Sequence, residues 1–409
     1  MTDPGIIVVG GGLAGAKTVE ALRAEGYQGP LTLIGAEPHL PYERPPLSKD
    51  HLLKGTPVAE FTPLDAAWFT DHDVTVRLGV SAVVLDPEGH RLALSDGTEL
   101  SWTKLALATG SRPRLPDLPG SDADGVRVLR TLEDSDALDA AIEAGTRLVV
   151  VGGGWIGLEA AAAARARGAE VVVLEMAEQP LAAVLGHQIG AAFADLHRRN
   201  GVDLRTGIAV SQVTTRDQRA TGVQLADGTH VPGDLVLFGI GAIPNLDLAH
   251  DAGLRADRGV LVDASLRTSH PDIVAVGDIA EAEHPGYDHR VRVEHWANAQ
   301  NQPAVAAKTL LGQEARYDRQ PYFFTDQFDL GMEYRGLASD AENVVVRGDL
   351  ASAYLAFWLD AEDRVEAAMN VNIWDAGDDL SALVAGRARV DRTRLADADV
   401  PLDSVAETR

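Results

Sequence analysis

The sequence predicts an α/β fold: two Rossmann-like, parallel-sheet domains followed by a smaller C-terminal α+β domain. Two similar strand–helix–strand units and a later change of texture predict it. Residues 5–10, Gly-Ile-Ile-Val-Val-Gly, read as a short strand buried on both faces; residues 13–25 follow with helical spacing rich in Ala and Leu, and residues 31–34 give a second strand. A near copy runs through residues 147–151, an Ala-rich helix from about Trp155 to Arg167 and a strand over 170–174. This is a duplication at domain scale, not a solenoid repeat. Apolar strands ending in small residues recur at 105–110, 235–239 and 273–278, and the Pro/Gly-rich stretch 112–120 reads as a crossover linker. From about Gln320 aromatic, alternating segments such as Tyr354-Leu355-Ala356-Phe357-Trp358 predict an antiparallel sheet. The tail after Asp391 is too polar to assign an element.

A chain of 409 residues exceeds what one growing core accommodates, so two or three domains are expected. There is no cysteine. That excludes disulfides, cysteine-ligated zinc, protein-held iron–sulfur clusters and thiol catalysis, so any redox chemistry belongs to a bound cofactor. The net charge of -25 opposes nonspecific binding to nucleic acid and to anionic membrane. No long apolar run appears and Met1 leads directly into a strand, so no membrane association and a cytoplasmic location are expected.

Gly10-x-Gly12-x-x-Gly15 falls between a strand and a helix. Glycines there permit a tight turn and let backbone N–H groups at a helix N-terminus approach a pyrophosphate. Glu37 lies beyond the second strand, where a carboxylate accepts from ribose hydroxyls. Alone, such a motif also fits a plain glycine turn beside a solvated glutamate. The second copy, Gly152-x-Gly154-x-x-Gly157, is followed by Glu175 directly after its second strand. A carboxylate at that point accepts from the 2′-hydroxyl of NAD and repels the 2′-phosphate of NADP, although a strand-end glutamate fits it too. Two fingerprints in one chain suit a protein that holds FAD and a nicotinamide cofactor together.

The fingerprints occur with Pro41-Tyr42-Glu43-Arg44-Pro45-Pro46-Leu47-Ser48-Lys49, Ala108-Thr109-Gly110, Gly239-Ile240-Gly241-Ala242-Ile243-Pro244-Asn245, Val276-Gly277-Asp278, Glu294-His295-Trp296-Ala297-Asn298-Ala299-Gln300 and Phe323-Phe324-Thr325-Asp326-Gln327. In this order the chain resembles the ferredoxin reductases of bacterial oxygenase systems, from about Gly5 to about Trp374. The resemblance implies a glutathione-reductase-like architecture. Its FAD domain would be split over 1–115 and 246–319, with an NAD domain at 116–245 and a C-terminal domain at 320–409. It implies that Gly10, Gly12, Gly15, Glu37, Arg44, Arg130, Asp278 and Trp296 serve FAD, that Gly152, Gly154, Gly157 and Glu175 serve NADH, and that Gly241 is cofactor-binding. Lys49 would lie near the flavin N5, with Glu159 as its charge partner. His295 is expected to be a packing or hydrogen-bonding group, because hydride transfer needs alignment and not a proton donor. One departure stands out: Ala36 occupies a position where relatives commonly carry Asp, which leaves fewer polar contacts for the adenosine of FAD.

The activity implied is NADH-dependent reduction of FAD, then release of electrons singly to a two-iron two-sulfur ferredoxin that serves a cytochrome-type monooxygenase or a Rieske-type dioxygenase. Two alternatives share these features. One is a cysteine-free NADH oxidoreductase of small organic acceptors, resembling monodehydroascorbate reductases; the other is a redox-sensing protein resembling apoptosis-inducing factor. Ferredoxins of this kind are usually acidic, so docking on an acidic enzyme calls for a local basic patch. Arg387, Arg389, Arg392 and Arg394 form the dense basic cluster, with Lys308 and Arg316 as a rim. Solvated arginines balancing Asp391, Asp397 and Asp399 are the competing reading.

Overall fold

The computed structural model describes residues 4–407. The chain divides into two compact units, one of residues 1–43, 57–112 and 243–321, the other of residues 44–56, 113–242 and 322–409.

The first unit is built on a five-stranded parallel sheet in the order Ile273–Ala275, Lys104–Leu107, Ile6–Val9, Leu31–Gly35, Val74–Leu78. The central strand Ile6–Val9 is buried along its whole length, which is why it reads as an unbroken apolar run. The helix Leu13–Ala24 follows it and packs against the helix Trp296–Leu310. The parallel sheet leaves the ends of Ile6–Val9, Lys104–Leu107 and Ile273–Ala275 side by side, so the turns after them collect at one edge.

The second unit repeats the plan. Its parallel sheet runs Asp203–Arg205, Glu170–Leu174, Arg147–Val151, Leu235–Phe238, Val126–Arg127, with the helix Trp155–Ala166 after the central strand. The same unit carries a five-stranded antiparallel sheet in the order Tyr322–Gln327, Leu330–Gly336, Val365–Val371, Ala353–Leu359, Val344–Asp349. Phe357, Leu359, Val365 and Ala368, all 0% exposed, form its core with Leu380 and Leu395.

Two placements differ from the sequence reading. Residues 44–56, expected within the first domain, pack with the second unit: Leu52 is fully buried, Ser135 Oγ donates to the Leu47 carbonyl at 2.8 Å, and Arg167 Nη1 donates to the Leu52 carbonyl at 3.1 Å. The described part of the tail after Asp391, to residue 407, forms structure of its own. Asp391 caps the short helix Arg392–Ala396 by accepting from the N–H groups of Thr393 and Arg394, and Leu395 and Val405 insert into the C-terminal core. Two buried apolar side chains spaced among polar ones anchor that stretch, a density too low to stand out as a periodic pattern.

Candidate functional site

The two fingerprint turns have the same construction. The helices Leu13–Ala24 and Trp155–Ala166, of 12 residues each, begin after Gly12 and Gly154, and neither receives a side-chain cap. Their first-turn N–H groups thus have no intrahelical or capping partner, the condition under which a helix N-terminus takes an anion. The glycines divide the work. Gly10 has φ +131°, and a Cβ on it would stand 2.0 Å from the Ala108 carbonyl oxygen; a Cβ on Gly15 would stand 1.9 Å from the Gly10 carbonyl oxygen. Those two let chain pack on chain. A Cβ on Gly12 would meet nothing within 4 Å, so what Gly12 keeps clear is the space before the turn. In the second turn Gly152 (φ +105°) and Gly157 are the crowded positions, and a Cβ on Gly154 would meet only the Gly239 oxygen at 3.5 Å. Both cradles fit a dinucleotide pyrophosphate.

The acidic residues that follow are held differently. Glu37, half-buried, accepts a hydrogen bond from the Tyr42 hydroxyl through Oε2. Glu175 is tied back onto its own turn: Oε2 accepts from Gly153 N at 2.5 Å and Oε1 from Ala177 N at 2.7 Å. Its carboxylate is therefore fixed beside the second cradle before any ligand arrives.

In the first unit Asp278 lies in the single turn Gly277–Ile279 directly beyond the strand Ile273–Ala275. His295 caps the helix Trp296–Leu310 by position, and Trp296 Nε1 donates to Glu43 Oε2 at 3.1 Å. Burial lowers the His295 imidazole to about 4, against a smaller opposing pull from Asp278, so the ring is neutral near pH 7.

The second unit holds Arg44, Lys49, Arg130, Glu159 and Gly241. Arg44 Nη1 donates to the Arg130 carbonyl at 2.5 Å, and the backbone N of Arg130 is held by Asp134 Oδ2 at 3.0 Å. Gly241 has φ +102° and its carbonyl accepts from Arg114 N at 2.9 Å. Lys49 Nζ lies 2.7 Å from Glu159 Oε1, with the two side chains 13% and 4% exposed. The ammonium also stands 5.3 Å from the centroid of the Phe324 ring. Asp326, on the same strand, has its carboxyl raised by desolvation, partly offset by Lys49 and reinforced by Glu159.

Four residues without an assigned sequence role belong to this cluster. Ser48 Oγ donates to Glu159 Oε2 at 2.5 Å, Thr325 Oγ1 donates to Glu159 Oε1 at 2.5 Å, Gln327 Nε2 donates to Thr325 Oγ1 at 3.1 Å, and His197 Nε2 meets Gln327 Oε1 at 2.9 Å. The alternation Thr325-x-Gln327 on a strand puts both on one face, a signal present in the sequence. His197 carries none.

The arginine cluster is not a bare basic patch. Arg387 Nη2 contacts Asp360 at 3.1 Å and Glu366 at 3.2 Å, Arg392 Nε contacts Asp363 at 2.7 Å, Arg389 Nε contacts Glu407 at 3.3 Å, and Arg394 Nη2 donates to the Ser404 carbonyl at 3.0 Å. Three of the four are thus neutralised, by partners other than Asp391, Asp397 and Asp399. Lys308 pairs with Glu25 at 3.7 Å, and both it and Arg316 belong to the other compact unit. The sequence shows the density of arginines; the carboxylates opposing Arg387 and Arg392 arrive from a hairpin earlier in the chain, and the one opposing Arg389 from the tail.

Comparison with known proteins shows the family. Residues 4–303 match the family described as pyridine nucleotide-disulphide oxidoreductase, and residues 322–406 match the reductase C-terminal family. The chain is 39% identical over 407 residues to the anthranilate 1,2-dioxygenase system ferredoxin–NAD(+) reductase component of Burkholderia cepacia, covering 98% of each chain. It is 37% identical over 408 residues to putidaredoxin reductase of Pseudomonas putida, covering 98% of this chain and 96% of that one. Among solved structures it superposes on the covalent putidaredoxin reductase–putidaredoxin complex with a TM-score of 0.94 at 35% identity, over 98% of both chains.

Proposed function

The chain belongs to the pyridine nucleotide-disulphide oxidoreductases that end in a reductase C-terminal domain, and on that premise we propose that it is an NADH-dependent FAD reductase which passes electrons singly to a two-iron two-sulfur ferredoxin of an oxygenase system. One observation carries the reading: two uncapped helix N-termini, each fronted by a glycine that clears space, lie in a chain without a cysteine. Two cradles suit two dinucleotides, and the missing thiols remove the disulfide chemistry for which the family is named. Relatives that are ferredoxin reductase components do not favour the organic-acceptor or redox-sensing alternatives.

FAD, when bound, takes a hydride from NADH and gives up its electrons one at a time. The chain supplies binding and orientation. Gly10, Gly12 and Gly15 admit the FAD pyrophosphate, Glu37 takes a ribose, and Arg44, Arg130, Gly241, Asp278 and Trp296 hold the rest of the cofactor. Gly152, Gly154 and Gly157 admit the nicotinamide cofactor's pyrophosphate, with Glu175 at its adenosine ribose. Lys49 presents an ammonium to the flavin ring edge, and Glu159 keeps that charge compensated where water is sparse. No helix among the described residues is long and apolar enough to cross a membrane, and a cytoplasmic location is part of this proposal.

The test is direct. Purified protein is expected to be yellow with releasable FAD, to bleach anaerobically on addition of NADH, and to reduce cytochrome c rapidly only when a two-iron two-sulfur ferredoxin is added. Cytochrome c reduction equally fast without ferredoxin would remove the partner; a colourless protein that FAD does not reconstitute would remove the whole reading.

A further inference from the structure

The cluster around Glu159 extends far beyond the ion pair. Glu159 is 4% exposed, Ser48, Thr325 and Gln327 are each 1% exposed and His197 is 0% exposed, so this is a continuous polar thread through the interior. Such a thread is costly unless each member is satisfied. Its polarity follows from donor and acceptor chemistry alone. The Glu159 carboxylate, already the acceptor for Lys49, accepts the Thr325 hydroxyl proton at 2.5 Å. The Thr325 oxygen is left to accept, so the Gln327 amide turns its NH2 toward it at 3.1 Å. That turns the Gln327 carbonyl toward His197 at 2.9 Å, and a carbonyl only accepts, so the ring must carry its proton on Nε2. Nδ1 is then a bare lone pair, and it is the ring nitrogen that has no hydrogen-bond partner among the described residues. Every link points the same way, from His197 to Glu159.

We propose that Thr325, Gln327 and His197 are positioning residues that act through Glu159: a one-way hydrogen-bond thread fixes the carboxylate rotamer, and thereby fixes the Lys49 ammonium against the flavin. Tyr322–Gln327 contributes two links, and the helix ending at Arg199 contributes the anchor, so the ion pair is held from the C-terminal sheet as well as from its own helix. Burial also lowers the His197 imidazole to about 4, against the opposing hydrogen bond to Gln327, so the anchor stays a neutral donor through the working pH range. The functional half of the proposal rests on the reductase reading; the thread itself does not.

The experiment uses the holoenzyme labelled with 15N in its histidine rings, with His197 assigned by its loss in His197→Asn. Wild-type His197 is expected as the neutral Nε2–H form between about pH 5 and 8. In Thr325→Val, which keeps the shape and removes the link, the Gln327 amide loses its orientation and His197 becomes a mixture of both neutral tautomers. The same variant is expected to slow flavin reduction at saturating NADH about ten-fold, with KM for NADH little changed, and Thr325→Ser is expected to restore both readings. A wild-type ring protonated on Nδ1, or titrating near its ordinary value, would overturn the thread even if Thr325→Val did not fold. A tautomer shift without a change in rate, or a slow variant that Ser does not rescue, would overturn the positioning role. If NADH failed to reduce the wild-type flavin, the reductase reading would fall and the ring spectrum would still decide the thread.

Discussion

Glu159 accepts from Ser48, Lys49 and Thr325 together, and the three contacts are not equivalent. Glu159→Ala strands a largely buried ammonium and is expected to cost about 3 kcal/mol, whereas Ser48→Ala removes one hydroxyl donor and is expected to cost about 1 kcal/mol. Urea midpoints at constant m-value separate the two. The Glu175 carboxylate is fixed by Gly153 N and Ala177 N, so on the proposed reading it would not swing aside for a 2′-phosphate. Glu175→Ala is expected to lower the NADH-over-NADPH ratio of kcat/KM by about ten-fold or more; an unmoved ratio would remove Glu175 from the site. His197 makes a prediction in pH. Its folded value, about 4, lies below the unfolded 6.5, so the unfolded chain binds the extra proton and folding stability is lost as pH falls from 6.5 toward 4. The loss reaches on the order of 3 kcal/mol for this ring, and His197→Gln is expected to flatten that limb of the stability curve relative to wild type. Of these residues, Glu175 was singled out by its spacing after a glycine turn, and its carboxylate does contact that turn at Gly153 N. Lys49 and Glu159 were legible only through resemblance, because 110 positions separate them along the chain. His197 sits among apolar neighbours in the helix Ala182–Arg199 and reads as an ordinary core residue until Gln327 is seen beside it.

At the scale of an element, the fingerprint turns predict different consequences for glycines that look alike in sequence. Gly12→Ala puts a methyl into open space, so the fold is expected to survive while FAD is lost; Gly15→Ala drives a methyl onto the Gly10 carbonyl and is expected to destabilise the apoprotein. Gly154→Ala is the counterpart in the second turn: flavin content retained, KM for NADH raised. Absorbance at the flavin band, melting of the apoprotein and NADH titration distinguish the three. If Gly12→Ala kept its flavin, the space before that turn would not belong to a pyrophosphate. The strand–helix–strand units were legible because their signal is local, a run of apolar residues closed by glycines. The C-terminal sheet was legible only as texture. Its strand order is set by pairing across the chain, with Val365–Val371 inserted between Leu330–Gly336 and Ala353–Leu359, and nothing in an alternating segment states its neighbours. The arginines failed for the same reason, since Asp360 and Asp363 reach them from the turn between two strands and Glu366 from the strand that follows it.

For the whole molecule, composition is the decisive quantity. A chain with no cysteine cannot store electrons outside its cofactor, so anaerobic titration is expected to end at about two electrons per flavin. Uptake of about four would require a second redox centre. The discontinuity of the two compact units bears on how the protein comes to exist at all. Each is assembled from three separated stretches, and the partners of residues 44–56 begin at residue 113 and continue beyond residue 322. On the ribosome, therefore, the emerging polypeptide carries Leu47 and Leu52, 2% and 0% exposed in the finished protein, uncovered until sequence from the second unit has been translated. The first unit likewise stays open until residues 243–321 have left the exit tunnel. Vectorial synthesis cannot finish one unit before starting the next, so apolar surface belonging to both units stays uncovered through much of translation.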